Sequence, residues 1–227
     1  MSEKETPTRG LDEERPLPEP PDSPLAAEVR TLIMRAATPA IANHSIRTYV
    51  FAELLAAHRG ARPGRDYDPE LLFFACALHD VGLTHLADGR QRFEVDGADF
   101  AADFLSTRGV PGRDVDIVWE AIALNTSGGI AERRGPICEM TRTAVVIDFG
   151  AGTEFVPDST AARVHRLYPR QNLATALVDA VVAPAVARPE KAPRFSMTAD
   201  LVDQRSLPGG GSVIEEQARA VRWRAYD

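Results

Sequence analysis

In Ala75-Cys76-Ala77-Leu78-His79-Asp80-Val81-Gly82-Leu83-Thr84-His85 an apolar helical run ends on an adjacent His-Asp pair, and Gly82 then turns the chain. A neutral imidazole and a carboxylate side by side can share one divalent cation. The imidazole gives a nitrogen, the carboxylate gives charge and oxygen, and both suit zinc, iron or manganese. The pair could instead simply end a helix, with the aspartate bonding a turn. A carboxylate at a helix C-terminus opposes the macrodipole, however, and a bound cation offsets that cost. His44 stands 35 positions upstream, in Asn43-His44-Ser45-Ile46-Arg47-Thr48-Tyr49. Asp148 stands 68 positions downstream, inside the apolar run Ala144-Val145-Val146-Ile147-Asp148-Phe149-Gly150. A buried carboxylate without a partner is costly, so a metal or a strong hydrogen-bond donor is expected beside Asp148.

The punctuation around these residues is helical. Thr38-Pro39 opens a helix with Ile41, His44, Ile46, Val50, Phe51, Leu54 and Leu55 at helical spacing, and Gly60 stops it. Asp68-Pro69 opens the helix that ends in His79-Asp80. Further helices are expected from Glu94 or Asp96 to Gly109, from Asp114 through Leu124, around Val145–Phe149, over 158–167 and over 172–186. No segment sustains the period-two alternation of a sheet, so the chain is expected to be all-α. Residues 1–23 are acidic and Pro-rich and read as a disordered or extended tail. The domain is placed at 24–204. Residues 205–227 read as a Gly-rich linker followed by a C-terminal amphipathic helix carrying Val213, Ile214, Val221 and Trp223.

Four stretches carry a resemblance: Ala77–His85 (ALHDVGLTH), Arg92–Leu105 (RFEVDGADFAADFL), Val118–Glu132 (VWEAIALNTSGGIAE) and Val145–Gly152 (VVIDFGAG). Together, and in this order, they resemble the cyanamide-hydratase-like branch of the HD superfamily, from about Leu25 to about Leu201. The resemblance implies a helical bundle around a central metal site. It also implies the ligand set His44, His79, Asp80 and Asp148 and hydrolytic or hydration chemistry. One departure stands out: many relatives carry histidine where this chain has Asn125. An amide is a poor metal ligand but a competent donor and acceptor. Between Asp80 and Asp148 the only histidine is His85, which favours one metal over a di-iron centre. One divalent ion is expected, zinc first, with iron or manganese as alternatives.

Composition limits the partners. The 227 residues are 44% hydrophobic with a formal charge of −7, and seven acids and three bases fall within residues 1–23. That balance offers no broad basic surface for nucleic acid. No 18-residue apolar run suggests a membrane helix. The N-terminus lacks the apolar core of a secretory signal. A cytoplasmic protein with a small-molecule substrate is expected, with Cys76 and Cys138 reduced, and a homo-oligomer is open.

Around the metal, the candidates for polar catalytic work are Asn125, Glu94, His85, Thr84 and Arg47. Arg47, one turn beyond His44, orients a ligand oxygen or a metal-binding carboxylate, or makes a structural salt bridge. His85 is equally a pocket wall or a solvated turn. Glu94 and Asp96 line the site or cap the next helix. His58 and His165 read as surface residues, and Phe93 and Trp119 as core. The resemblance implies hydration of a nitrile- or cyanamide-like carbon by metal-bound hydroxide. The alternatives are an HD phosphohydrolase acting on a nucleotide or phosphate monoester, an iron-dependent HD oxygenase, and a non-catalytic metal-binding sensor.

Overall fold

The computed structural model describes residues 16–227, so the part of the expected tail at 1–15 lies outside the described residues. Among the described residues ten helices follow one another: α1 Pro24–Ala36, α2 Pro39–Arg59, α3 Pro69–Leu78, α4 Phe93–Ser106, α5 Gly112–Ala123, α6 Pro136–Asp148, α7 Asp158–Leu167, α8 Leu173–Ala187, α9 Met197–Ser206 and α10 Val213–Ala220. Short 3-10 turns join several of them. The described residues form no β-sheet, only an isolated bridge between Pro63 and Tyr67. The fold is all-α.

Four of these helices, α1, α2, α3 and α6, begin on proline, which needs no amide hydrogen at the first helical position. Asp68 caps α3 by accepting from the Glu70 and Leu71 amides. Gly60 takes the left-handed conformation, φ 74°, that ends α2. The central helices are α2 and α3. From Ala40 to Tyr49 and again through Ala56, α2 is buried nearly all round, and α3 is buried from Leu71 to Leu78. Helix α2 packs on α3 and along α6, while α4 lies against α5. A residue buried on every side of its helix must face other helices, and that arrangement brings His44, His79 and Asp148 inward together.

Helices α1 and α9 are additional to the helices the sequence predicts. Helix α1 carries Ala26, Val29 and Ile33 into the core and is capped by Ser23, whose hydroxyl accepts from the Ala26 amide. Helix α9 is capped the same way by Ser196. Residues 16–22 have no regular structure, and Leu17 is half-buried against the core. The C-terminal helix is shorter than expected. It stops at Ala220, and Val221 runs extended into a 3-10 turn over Arg222–Tyr226. That turn buries Trp223 completely, with the indole stacked on Phe51 at 5.8 Å. Among the described residues no helix is long and apolar enough to cross a membrane. Both cysteines are buried and unpaired, and burial pushes both thiols up to about 12. Neither is a nucleophile at neutral pH.

Candidate metal centre

His79 closes α3, and Asp80 leads into the 3-10 turn at Val81–Leu83. His44 comes from the first turns of α2. These three side chains converge in the interior, where each is nearly inaccessible to solvent. His44 Nε2 lies 3.1 Å from His79 Nε2. Asp80 Oδ2 lies 3.3 Å from the latter and 3.7 Å from the former.

Hydrogen bonding on the far side of each ring fixes what these atoms can be. His79 Nδ1 is 2.7 Å from the Cys76 carbonyl, which can only accept, so Nδ1 carries the proton. His44 Nδ1 is 2.6 Å from Asp148 Oδ2, so it too donates. In the neutral rings both Nε2 atoms are bare lone pairs, and they point at each other. Asp80 Oδ2 is buried and accepts no hydrogen bond. Three unsatisfied lone pairs facing one point repel unless positive charge lies between them. The circle through the three atoms, drawn from their separations, has a radius of about 2.0 Å, the length of a zinc–nitrogen or zinc–oxygen bond. The donor set therefore fits a divalent ion in composition and in size.

Asp148 takes a different place from the one the ligand set implied. Its carboxylate does not join the triangle. It accepts from His44 through Oδ2, and from Arg47 through Nε at 2.7 Å and Nη2 at 2.8 Å. Arg47 is completely buried and donates its remaining reach to the Tyr168 and Pro169 carbonyls. Burial alone would raise the Asp148 carboxyl. The Arg47 guanidinium and His44 overcome this and hold it well below the usual carboxylate range. Asp148 is thus a fixed anion behind His44 that holds the ring in the tautomer a metal needs, an arrangement common behind ligating histidines. Arg170 donates from Nη1 to the Asp148 carbonyl at 2.6 Å and from Nε to Asp227 at 2.9 Å. The Trp223 indole donates to the Ile147 carbonyl at 2.6 Å. The last carbonyls of α6 are therefore capped by groups from distant parts of the chain.

The triangle opens into a cavity of about 420 Å³. Its lining is mostly apolar, with Phe93, Val145, Val146, Phe149, Leu177 and Met197, and Ile214 and Val221 supply a wall from the C-terminal segment. The Phe149 ring meets the His44 ring edge-on at 5.3 Å. Polar groups are few: Asn125, Thr126, Arg142 and Gln217. The Asn125 amide donates to the Ile122 carbonyl at 2.7 Å, which leaves it a second hydrogen. Glu94 is buried beneath this lining. It accepts from Thr126 at 2.6 Å and is neutralised by Arg92.

Several candidates from the sequence stand elsewhere. Thr84 and His85 follow the His-Asp pair, but neither lines the cavity. The Thr84 hydroxyl donates to the Val81 carbonyl and accepts from the Leu86 amide, and His85 is exposed on the next turn. Neither Arg47 nor Glu94 lines the cavity: Arg47 acts on it through Asp148 and then His44, and Glu94 through Thr126. Asp96 binds Lys191 at 2.6 Å, away from the cavity. His165 is buried, stacked on Tyr226 at 4.4 Å, and not on the surface as expected. Thr126, Arg142 and Gln217 line the cavity without being among the candidates the sequence offers. Arg142 carries the one available signal: it lies at i−3, i−4 and i−7 from Val145, Val146 and Phe149, on the same face of α6.

Comparison with known proteins agrees with this geometry. The family model described as HD domain matches residues 41–171, a span that contains the triangle and Asp148. Two proteins of Saccharomyces cerevisiae, cyanamide hydratase DDI2 and cyanamide hydratase DDI3, are each 26% identical to this chain over 174 residues, covering 74% of this chain and 76% of theirs. With its central helices, its His-Asp turn and this match, the chain belongs to the HD-domain family.

Proposed function

We propose that the protein hydrates or hydrolyses a small carbon–nitrogen substrate, of nitrile or cyanamide type, with a divalent ion held by His44, His79 and Asp80. The family and the two relatives support a metal-dependent hydrolase or hydratase. One observation carries the proposal: three bare donor atoms, spaced for one ion, face a largely apolar cavity of about 420 Å³. A divalent ion bound there supplies a Lewis acid and brings the pKa of a water toward neutrality.

The chain's own residues do the rest. Asp148 holds the His44 proton on Nδ1 and so keeps Nε2 free. Arg47 fixes Asp148 with two bonds and neutralises it, which keeps the anion from drawing the proton off His44. Phe149, Val145 and Val146 exclude bulk water and strengthen every charge interaction in the cavity. The free Asn125 amide hydrogen binds the negative charge that develops on the substrate nitrogen as water adds to carbon. Thr126, tied to Glu94, is a hydroxyl held in one orientation beside it.

The test is a panel of cyanamide, small nitriles, phosphate monoesters and nucleotides, given to zinc- and iron-loaded protein in air and without oxygen. Urea or amide should form at the same rate in both atmospheres. Oxygen-dependent turnover, or phosphate release faster than any hydration, would replace this assignment with an oxygenase or a phosphohydrolase.

A further inference from the structure

Among the described residues Arg142 is the one arginine or lysine lining the cavity, and the hydration chemistry does not use it. It lies on the α6 face that also carries Val145, Val146 and Phe149 into the cavity. Phe149, at the end of that stripe, touches His44. Arg142 is seven residues earlier, about 10 Å along the helix axis. Helical side chains lean toward the N-terminus, so its guanidinium points away from the metal triangle. The two ends of the cavity wall therefore differ in chemistry: donors for a cation at one, a cation at the other.

The guanidinium has room but no partner. Gly128 borders it, and a Cβ there would stand 3.2 Å from Arg142 Nη2. Arg142 Nε is buried without a hydrogen bond, and no salt bridge among the described residues includes this side chain. Glu132 acts on it only at a distance. A guanidinium partly withdrawn from water and left unpaired is costly, and an incoming anion offsets the cost with charge-assisted, bidentate bonds. The cavity, about 420 Å³, is also far larger than a molecule of three heavy atoms requires.

We infer that Arg142 binds an anionic group, a carboxylate or a phosphate, at the end of the substrate remote from the reacting carbon. The substrate class becomes a carbon–nitrogen compound with an anionic arm several ångströms long, and cyanamide itself is too short to use the anchor. This rests on the hydratase reading for the reacting end, while the anchor can be tested by binding alone.

The experiment uses the full-length, metal-loaded protein. Calorimetry compares 4-cyanobutanoate with pentanenitrile, which matches it in length without the charge, and with inorganic phosphate. The carboxylate should bind wild type about 10- to 100-fold more tightly than the neutral nitrile. Arg142→Gln should erase that preference and leave the nitrile's affinity unchanged. Arg142→Lys should keep part of it. If phosphate binding is tighter than carboxylate binding and is also lost in Arg142→Gln, the anionic arm is a phosphate. Anion binding that survives Arg142→Gln, in a variant with wild-type melting behaviour, overturns the inference, because the anion is then held by the metal alone. Equal affinity of wild type for the charged and neutral ligands overturns it as well. Absence of hydration with Arg142-dependent binding intact would sink the reaction assignment and leave the anchor standing.

Discussion

The turn that carries His79 and Asp80 is held in place by a backbone contact that a single methyl group would break. Gly82 lies so close to the start of α4 that a Cβ built on it would sit 1.9 Å from the Phe93 carbonyl oxygen and 2.9 Å from the Gly97 nitrogen. Ordinary carbon–oxygen contact is more than ~3 Å, so turn and helix must separate by over ~1 Å. Both sides are backbone and cannot rotate away. Gly82→Ala should therefore cost about 3 kcal/mol, the upper end for overpacking, or a melting temperature lower by about 6–12 °C. The displaced segment begins two residues after Asp80, so metal content should fall with stability. Two other glycines calibrate the result. At Gly97 a Cβ would stand 2.9 Å from the Gly82 nitrogen, and Gly97→Ala should cost less. At Gly112 a Cβ meets nothing within 4 Å, and Gly112→Ala should be neutral or slightly stabilising. Thermal melts with metal analysis of the three variants test the series. A Gly82→Ala protein that melts within 2 °C of wild type (a margin well below the roughly 6 °C expected) and keeps its metal would refute the reasoning.

Other consequences concern the supports of the site. Burial pushes His165 down to about 4, with Asp148 opposing weakly. The unfolded chain, at about 6.5, binds the proton first. This histidine therefore stabilises the fold fully above about pH 6.5, and its contribution is lost as pH falls toward 4. The loss is about 3 kcal/mol. Urea unfolding at pH 7 and 4.5 should show a steeper acid loss in wild type than in His165→Phe; parallel profiles would contradict it. Arg47→Met leaves the Asp148 carboxylate buried without its main partner and should cost about 3–5 kcal/mol by urea unfolding. Arg47→Lys should recover little, because lysine cannot make the paired bonds to both carboxylate oxygens, and full rescue would argue against that geometry. Trp223→Ala should cost about 3–5 kcal/mol and raise KM, because the segment it anchors supplies Val221 to the cavity wall; an unchanged KM would separate the segment from the site.

How far the sequence carries depends on the range of the forces involved. Local chemistry marked α2 and α3 well: Thr38-Pro39 and Asp68-Pro69 open them, and apolar residues fill every face. Ser23-Pro24 opens α1 with the same signal, but it falls where the acidic, Pro-rich stretch 1–23 meets the domain, and the prolines just before it mask it. The pairing of His79 with Asp80 was legible because the two are adjacent. The place of Asp148 was not. An aspartate in an apolar run announces only that positive charge is near, and a metal and Arg47 satisfy that equally. Arg47 lies three residues from His44, one turn along α2, so both reach one carboxylate, and this choice is made by tertiary packing. His165 sits among polar neighbours in Arg163-Val164-His165-Arg166 and looks exposed. Trp223 and Tyr226, far along the chain, bury it. Thr84 and His85 failed for the opposite reason: nearness in sequence to a metal-binding pair does not survive a 3-10 turn that points them away.

The most direct measurement is metal stoichiometry on the full chain, by elemental analysis after dialysis against metal-free buffer, for wild type, His79→Ala, Asp80→Ala and Asp148→Asn. Wild type should hold one divalent ion per chain. The His79 and Asp80 variants should hold almost none, because each removes one of three donors that meet at a single point. Asp148→Asn should keep its ion with affinity weaker by about 10- to 100-fold, since it loses only the group that orients His44. Full occupancy in His79→Ala or Asp80→Ala would contradict the centre itself, and complete loss in Asp148→Asn would return Asp148 to the ligands.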